Sequence, residues 1–312
     1  MRRLFLALAL LAPLPAAAFP ERPITIINPY AAGSSTDAAA RAIADSFTRE
    51  LGQNVIVTSQ SGASGVVGMR ALTQAAADGH TLAYAPLVPL VFQPHLVRNT
   101  GLGPEAVAPV CNVTENILGI MVKADSPIRN LTDLVAAARQ RALNYGSPGP
   151  NSAPFLGVHR IQAAAGGQYT HLPFRGDNAS LLEVIAGRLD FAAIVVASGV
   201  PMARAGQVRL IAVFSEGRHP AFPDVPTARE QGVDALQPSY AALFAPRGTP
   251  AAVLERLEGA CRRAMDTDGF RRFTENWGAV PSFRPRAELA RMLAHEYEAA
   301  GRTFRELGVQ PE

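Results

Sequence analysis

The sequence predicts an α/β fold with two lobes, each built on a mainly parallel β-sheet. Short apolar segments typical of strands alternate with segments typical of helices along most of the chain. One of them, Asp190 to Val196, is apolar enough for a strand buried on both faces, as strands of parallel sheets are. The chain of 312 residues is long enough for two domains, and 48% hydrophobic residues suffice for sizeable cores.

Residues 1–18 have the features of a secretory signal peptide rather than of a folded segment. Met1-Arg2-Arg3 is cationic, Leu4 to Leu14 is apolar, and Ala16-Ala17-Ala18 supplies the small residues of a cleavage site. The apolar run is shorter than the roughly 20 residues that a membrane-spanning helix needs, so an uncleaved anchor is the less favoured alternative. We expect an exported protein whose mature chain begins near Phe19.

The first half of the mature chain begins with an apolar strand, Ile24–Ile27, and an Ala-rich helix from Ala38 to Leu51. A second apolar strand, Val55–Val57, leads through a Gly-rich turn at 62–68 into a helix that ends near Ala77. The same alternation then predicts the strands Thr81–Tyr84, Ile117–Val122 and Leu143–Tyr145, and the helices Leu131–Arg141 and Pro154–Ala164.

The second half continues with predicted strands at 170–174, 190–196 and 241–245, and helices at 179–186, 251–265 and 286–307. Thr249 is expected to cap the helix that begins at Ala251, with Pro250 at its first position. The sequence has no Pro-rich linker, which favours two lobes joined by crossing strands. With crossings near 117–122 and 240–245, lobe 1 comprises residues 19–121 and 239–312, and lobe 2 comprises residues 122–238.

The charge balance excludes one class of partner. The 29 basic and 26 acidic residues give a formal net charge of +3, or +1 once Arg2 and Arg3 are removed with the signal peptide. The chain contains no dense basic block, so we expect no nucleic-acid partner.

Two cysteines, Cys111 and Cys261, lie far apart and lack the spacing of metal ligands. Each has apolar neighbours, which favours buried free thiols. Export makes a disulfide the alternative.

Three strand-to-helix turns are rich in small and polar residues. They are Pro29 to Asp37, Tyr145 to Pro154, and Phe174 to Ala179. The N–H groups at the start of a helix lie at the positive end of its dipole and bind anions such as carboxylates. If the three turns converge on one cleft, a small acid would be held by N–H groups and hydroxyls, without a cation for each carboxylate. Taken singly, each turn favours a simple connection over a ligand contact.

Motifs of catalysis and of metal binding are mostly absent from the sequence. It contains neither a Gly-x-Ser-x-Gly elbow nor a Gly-x-x-x-x-Gly-Lys loop. His295-Glu296 begins like a zinc-protease helix, but Ala299 stands where the second histidine would be. We therefore expect no metal and no cofactor.

A series of short motifs extends over almost the whole mature chain. In order they are Phe19-Pro20-Glu21-Arg22-Pro23-Ile24, Pro29-Tyr30-Ala31-Ala32-Gly33 with Asp37, Gly62-Ala63-Ser64-Gly65, Asp78-Gly79-His80-Thr81-Leu82, Leu143-Asn144-Tyr145-Gly146-Ser147, Pro173-Phe174-Arg175-Gly176, Gly187-Arg188-Leu189-Asp190, Phe222-Pro223-Asp224-Val225-Pro226-Thr227 and Ala245-Pro246-Arg247-Gly248-Thr249-Pro250. Their order and spacing together resemble the Bug receptors, the extracytoplasmic solute-binding proteins of tripartite tricarboxylate transporters.

The resemblance implies a two-lobed periplasmic binding protein, type II-like, that captures a small carboxylate and delivers it to a tripartite tricarboxylate-type transporter. It implies a monomer that catalyses no reaction and contacts membrane transporter subunits transiently. By position, the ligand contacts would come from Tyr30, Ala31, Ala32, Gly33, Ser34, Ser35, Thr36, Asp37, Ser147, Asn151, Ser152, Phe174, Arg175 and Asn178.

Three departures from the family pattern bear on the ligand. Ser34 and Ser35 stand where the family often has glycines, Phe155 replaces a frequent histidine, and Ile194 stands where an aspartate is common. If that aspartate contacts an amino group in relatives, an amino acid is less favoured here than a dicarboxylate, a tricarboxylate or an aromatic acid. Two alternatives stay open: a secreted hydrolase that uses a loop serine such as Ser147, and a receptor that feeds a sensor kinase.

Overall fold

The computed structural model describes residues 19–149, 151–174 and 176–311, with the side chain of residue 35 left aside. The predicted signal peptide (residues 1–18) and Arg175 lie outside the described residues. Within these ranges, no helix is both long enough and apolar enough to span a membrane.

Strands and helices alternate through most of the described chain. The strands are β1 (Ile24–Asn28), β2 (Val55–Ser59), β3 (Thr81–Pro86), β4 (Val107–Glu115), β5 (Leu118–Lys123), β6 (Leu143–Ser147), β7 (Tyr169–Pro173), β8 (Phe191–Val195), β9 (Val208–Val213), β10 (Tyr240–Pro246) and β11 (Val280–Pro285). The helices are α1 (Ser35–Leu51), α2 (Val66–Thr73), α3 (Val88–Val91), α4 (Gln93–Leu96), α5 (Leu131–Gln140), α6 (Ala153–Ala165), α7 (Asp177–Ile185), α8 (Val196–Arg204), α9 (Ala251–Met265), α10 (Asp268–Trp277) and α11 (Arg286–Glu306).

Two separate sheets confirm the α/β class. A six-stranded sheet has the order β11-β4-β10-β3-β1-β2, and a five-stranded sheet has the order β7-β6-β8-β5-β9. In the first sheet β1 runs parallel to β2 and β3, and the other pairs are antiparallel. In the second, β6 runs parallel to β7 and β8, and β5 is antiparallel to both of its neighbours.

The sheets are therefore mixed, and the prediction of mainly parallel sheets was wrong in this detail. The antiparallel pairs involve the strands next to the points where the chain changes lobe. β10 enters the first sheet between β3 and β4, and β5 enters the second between β8 and β9. Apolar runs indicate burial, but they do not fix strand direction.

The chain changes sheet twice. It leaves the first sheet between the end of β4 at Glu115 and the start of β5 at Leu118. It returns between Val213, the last residue of β9, and Tyr240, the first of β10. The predicted lobe boundary after residue 121 falls inside β5, all of which pairs within the second sheet. The lobe boundaries themselves stay a prediction.

β4 was not predicted, although it is central to the first sheet. Polar residues interrupt its apolar pattern, but their side chains are buried and each makes a hydrogen bond to another strand, although Asn112 Oδ1 has no partner among the described residues. Asn112 Nδ2 donates to the carbonyl oxygen of Ser282 at 2.6 Å, and the Thr114 hydroxyl lies 2.9 Å from the Tyr84 hydroxyl. Buried polar groups are tolerated when they are hydrogen-bonded, so tertiary partners stabilise a strand that the local pattern does not indicate.

Helix packing gives each lobe its core. In lobe 1, α1, α9 and α10 cover one face of the sheet with side chains such as Phe47, Leu257 and Phe270, all fully buried. A second apolar cluster contains residues of both lobes, among them Phe244 in β10 and Phe191 in β8. The lobes are thus in apolar contact as well as covalently joined.

One helix start differs from expectation. Thr249 does not cap α9; its hydroxyl donates to the carbonyl oxygen of Pro246 at 2.8 Å, and Pro250 takes the N-cap position without a side-chain bond. Thr249 therefore closes the turn before the helix.

The two cysteines form a disulfide, so the preference for free thiols was wrong. Cys111 lies in β4 and Cys261 in α9, both are buried, and their Cα atoms are 6.6 Å apart. The bond links residues 150 positions apart in the sequence. The bond links α9, one of the helices that cover the first sheet, to β4, an interior strand of that sheet. A disulfide is consistent with an oxidising compartment.

Removing this disulfide should destabilise the protein. We expect the double variant Cys111→Ala, Cys261→Ala to lose about 2–5 kcal/mol of unfolding free energy, because its unfolded chain gains conformational freedom. Urea unfolding followed by circular dichroism measures this. Reductant should shift the wild-type transition and leave that of the double variant in place. Equal unfolding midpoints for the double variant and the wild type, both measured without reductant, would contradict the expectation.

Candidate functional site

A cleft of about 990 Å³ lies between the lobes and is lined by both of them. Seven of the fourteen predicted site residues line it: Tyr30, Gly33, Ser34 and Thr36 from lobe 1, and Asn151, Ser152 and Asn178 from lobe 2. The segments where the chain crosses contribute Glu115, Asn116, Ile117, Leu118 and Ser239. The predicted turns therefore meet at one crevice, beside the two crossings.

The β1–α1 loop, residues 29–34, is held by a buried side chain that the sequence analysis did not single out. Asn28 Nδ2 donates to the carbonyl oxygens of Tyr30 at 3.0 Å and Ala31 at 3.3 Å, and to the Ser59 hydroxyl at 3.1 Å. The backbone N–H of Tyr30 donates back to Asn28 Oδ1 at 3.2 Å. An asparagine that ends an apolar strand just before a Pro- and Gly-containing turn was the available signal.

Asp37 shapes the same loop from below instead of lining the cleft. Its carboxylate accepts the Gly33 N–H at 3.0 Å and the Arg41 guanidinium at 2.9 and 3.2 Å. Burial of Asp37 opposes its ionisation, but the hydrogen bonds from Arg41 and Gly33 outweigh it, so its pKa lies below the ordinary value. The Gly33 N–H is therefore engaged within the loop, and Asp37 is a positioning residue.

The start of α1 supplies N–H groups toward the cleft. Ser34 caps the helix, because its hydroxyl accepts the Asp37 N–H at 3.2 Å and its carbonyl accepts the Ala38 N–H at 3.0 Å. The first N–H groups of a helix have no partner within it, which leaves those of residues 35 and 36 for a ligand. Thr36 lines the cleft, so this end of α1 can hold an anion.

The β6–α6 loop, residues 148–152, presents a second helix start. Ser152 caps α6, because its hydroxyl accepts the Phe155 N–H at 3.4 Å and its carbonyl accepts the Leu156 N–H at 3.0 Å. Pro154 has no N–H, so by helix geometry Ala153 is the residue whose N–H lacks an intrahelical partner. Both Ser152 and Ala153 line the cleft.

Ser147 lies beneath this loop and does not line the cleft. Its fully buried hydroxyl lies 2.8 Å from His171 Nε2 and 3.3 Å from the Ser152 hydroxyl. Burial lowers the pKa of His171, whose ring packs between Tyr145 and Phe155. Within the described ranges, no carboxylate contacts that ring. The pair therefore orders the loop and lacks both the access and the orienting acid of a hydrolytic triad.

The β7–α7 loop, residues 174–176, brings an acidic side chain into the cleft. Asp177 Oδ2 accepts hydrogen bonds from the Ser198 hydroxyl at 2.8 Å and from the Val195 N–H at 3.3 Å. Its Oδ1 is shielded from solvent and has no partner among the described residues. Burial raises the pKa of Asp177 to about 6, against the lowering effect of the two hydrogen bonds. The sequence did not indicate a site role for Asp177, because an acidic residue in the first turn of a helix also complements the helix dipole.

The other predicted contact residues either do not line the cleft or lie outside the residues and side chains that the structure describes. Ala31 and Ala32 are exposed and are not among its lining residues. Phe174 packs into the lobe 2 core, and its ring blocks the space beside Gly146. Arg175 and the side chain of Ser35 are not described. Ile194, which bore on the ligand argument, is fully buried in the lobe 2 core and does not reach the cleft.

Several lining residues come from segments that sequence reasoning did not assign. Trp277 ends α10, a helix that was not predicted, and its side chain, 38% exposed, lines the cleft together with Ala197 and Pro201 of α8. Ser64 accepts a hydrogen bond from the Tyr30 hydroxyl at 3.3 Å. Burial raises the pKa of Tyr30, which keeps this phenol neutral.

The described lining contains neither lysine nor arginine, and its acidic residues are Glu115 and Asp177. Burial raises the pKa of Glu115, although Arg284 lowers it. An anion in this cleft would therefore depend on N–H groups and hydroxyls. Nor do the described residues bring together three or more His, Cys, Asp or Glu that could hold a metal ion.

Two lobes that enclose a cleft lined by helix amino ends define a solute-binding receptor of the periplasmic type. The chain belongs to the receptor family of tripartite tricarboxylate transporters, since the model of the "Tripartite tricarboxylate transporter family receptor" matches residues 39–309. This confirms the resemblance to the Bug receptors.

Individual relatives support the same assignment. The chain is 32% identical to a UPF0065 protein of Bordetella pertussis over 94% of this chain and 92% of that protein. It is 28% identical to the protein BugT of the same organism, over 98% and 96% of the two chains. Among solved structures, a TctC solute-binding protein from Polaromonas superposes with a TM-score of 0.80 at 26% identity, covering 92% of this chain and 99% of that one.

Replacing the buried carboxyl at position 177 should change how stability depends on pH. Between 3.8, its ordinary pKa, and about 6, the folded protein keeps a proton on Asp177 that the unfolded chain has released. The wild type therefore loses stability as the pH rises through this window, and Asp177→Asn does not. Relative to the wild type, the variant should gain about 1–3 kcal/mol between pH 4 and pH 7.

Urea unfolding at several pH values measures this difference. Asp125→Asn, at a side chain that is 73% exposed, is the matched control. A difference between Asp177→Asn and the wild type that stays constant with pH would contradict the expectation.

Proposed function

We propose that this protein is a periplasmic receptor that closes its lobes on a small organic acid. A carboxylate of the ligand is held by the amino ends of α1 and α6. The receptor then passes the acid, chemically unchanged, to the membrane subunits of a tripartite tricarboxylate-type transporter. The observation that carries this proposal is the convergence of Ser34–Thr36 and Asn151–Ala153, from opposite lobes, on one cleft.

Relatives of known ligand support a carboxylate. The chain superposes on MatC from Rhodopseudomonas palustris, solved with bound malate, with a TM-score of 0.75 at 28% identity, covering 91% of this chain and 99% of that one. It superposes on a second R. palustris protein, solved with adipate, with a TM-score of 0.81 at 25% identity, over 94% and 100% of the chains. Helix amino ends suit such acids, because hydrogen bonds to a charged group contribute about 1.5–3 kcal/mol each.

The absence of catalysis is part of the proposal. Ser147, the serine of the hydrolase alternative, is fully buried, and its histidine partner packs between aromatic rings. Of the serines that line the cleft, Ser34 already caps α1 and Ser152 already caps α6. A receptor that releases its ligand unchanged, as proposed here, needs no reacting group.

Export and assembly complete the proposed role. We infer that residues 1–18 direct the chain to the periplasm and are cleaved near Phe19, where the Cys111–Cys261 disulfide can persist. The receptor acts as a monomer with lobes bounded close to residues 121 and 239, and it contacts the transporter transiently. Closure by hinge motion would use the two crossings that adjoin the cleft.

A thermal-shift screen against organic acids tests the function directly. A ligand at 100 times its Kd should stabilise the protein by about 2.7 kcal/mol. We expect mono-, di- or tricarboxylates to raise the melting temperature, and uncharged amides of the same skeletons to have no effect. Stabilisation by the amides as well, or by none of the acids, would contradict the proposal.

Distorting the β1–α1 loop should weaken binding. Gly33 has a φ of +79°, which a β-branched residue adopts only with strain, although an added Cβ would meet open space. Gly33→Val should shift the loop and the N–H groups that follow it, with an affinity loss of about tenfold or more, the effect of losing one charge-assisted bond.

A matched control separates strain from binding. Gly101 has a φ of +66° and equally open surroundings, but it does not line the cleft. Gly101→Val should therefore destabilise the fold by a similar amount and keep the affinity of the wild type. Isothermal titration with an acid from the screen decides. Equal affinities of the two variants would show that the loop does not hold the ligand.

A further inference from the structure

Asp177 is an unexpected residue in a cleft that binds acids. A buried carboxylate repels an anionic ligand and is itself costly to ionise away from water. The structure nevertheless places it in the wall of the cleft that Asn178 and the start of α1 also line. Such a group is explained if the ligand offers it a partner.

The two carboxylate oxygens of Asp177 have different surroundings. Oδ2 accepts from the Val195 backbone N–H and from the Ser198 hydroxyl. The Val195 N–H can only donate, so Oδ2 must remain an acceptor. Oδ1 is buried without a partner among the described residues. Because Oδ2 is engaged at the junction of β8 and α8, Oδ1 is the oxygen left for a ligand. It has no accessible surface in the open cleft, so a shift of the start of α7 on lobe closure would have to bring it to the cleft surface, which other atoms of Asp177 already line.

We propose that Asp177 forms a specificity subsite that selects an acid bearing a hydrogen-bond donor, a hydroxyl or an ammonium group, over the same acid without it. This inference rests on the proposed function. The ligand carboxylate would lie at the amino ends of α1 and α6, and its donor would reach Asp177 Oδ1.

Two further observations agree with this subsite. A ligand without a donor would leave Oδ1 buried and unpaired, and sites built to bond a donor reject analogues that lack it. Ile194, the residue that seemed to disfavour amino groups, is buried in the lobe 2 core, so it places no restriction on the ligand. The raised pKa of Asp177 shows that burying it has a cost, as is common for groups retained in binding sites.

Matched ligand sets test the subsite in the wild-type protein. Each set shares one acid skeleton: propionate, lactate and alanine; succinate, malate and aspartate; glutarate, 2-hydroxyglutarate and glutamate. We expect isothermal titration to show the hydroxy or the amino member of the bound set binding about tenfold to a hundredfold more tightly than the unsubstituted acid. Which of the two members gains more identifies the donor.

The variant Asp177→Asn provides a second test, because it replaces the hydrogen-bond acceptor Oδ1 with a donor. The amide oxygen can accept the Val195 and Ser198 hydrogen bonds in place of Oδ2, and the amide NH₂ then replaces Oδ1 as a donor. The variant should lose the preference for donor-bearing ligands and bind the unsubstituted acid at least as tightly. Asp125→Asn, at the exposed carboxylate, should keep the wild-type preference.

The outcomes separate the two proposals. If the wild type binds acids from these sets without preferring the donor-bearing members, the subsite is wrong and the receptor function stands. If Asp177→Asn folds, as judged by circular dichroism, and keeps the wild-type preference, the subsite is likewise wrong. If neither these acids nor those of the broader screen bind the wild type, the receptor function itself fails. The wild-type comparison gives its answer even if the variant does not fold.

Discussion

The amino ends of two helices, α1 from lobe 1 and α6 from lobe 2, line one cleft, and the proposed site depends on this arrangement. A short loop joins β1 to α1, and another joins β6 to α6. Each helix start therefore lies near the carboxyl end of the preceding strand. The two helix starts meet at one cleft because the chain passes between the sheets twice, at 115–118 and at 213–240. Residues of both connections line the cleft, which is where a hinge closure of the kind proposed would pivot.

A site of this kind binds charge with few charged side chains. The loops before α1 and α6 are held by hydrogen bonds with the side chains of Asn28, Asp37 and Ser147. These bonds fix the positions of the two helix starts that line the cleft. Preorganised N–H groups lose little on binding, because they need not be ordered by the ligand. In the proposed site, selectivity would then depend on the remaining polar groups, among them Asp177, whose Oδ1 has no partner among the described residues.

Much of this organisation could be predicted from local sequence. The small-residue turns after β1, β6 and β7 are local patterns, and residues from all three turns or the helix starts that follow them line the cleft. Contacts between distant residues were less accessible. β4 was missed because Asn112 and Thr114 find their partners in other strands. Cys111 and Cys261 gave no sign of pairing, since 150 positions separate them.

The sequence by itself determined the alternation of strands and helices, the helix starts suited to anions and the receptor family, because these depend on neighbouring residues and on motif order. The tertiary structure alone decided the mixed strand directions, the disulfide, the engagement of the Gly33 N–H by Asp37, and the entry of Asp177 into the cleft. The reason is physical: burial, strand pairing and hydrogen-bond partners are set by groups far apart in the chain. The same side chain can therefore be a dipole cap, a loop brace or a ligand contact.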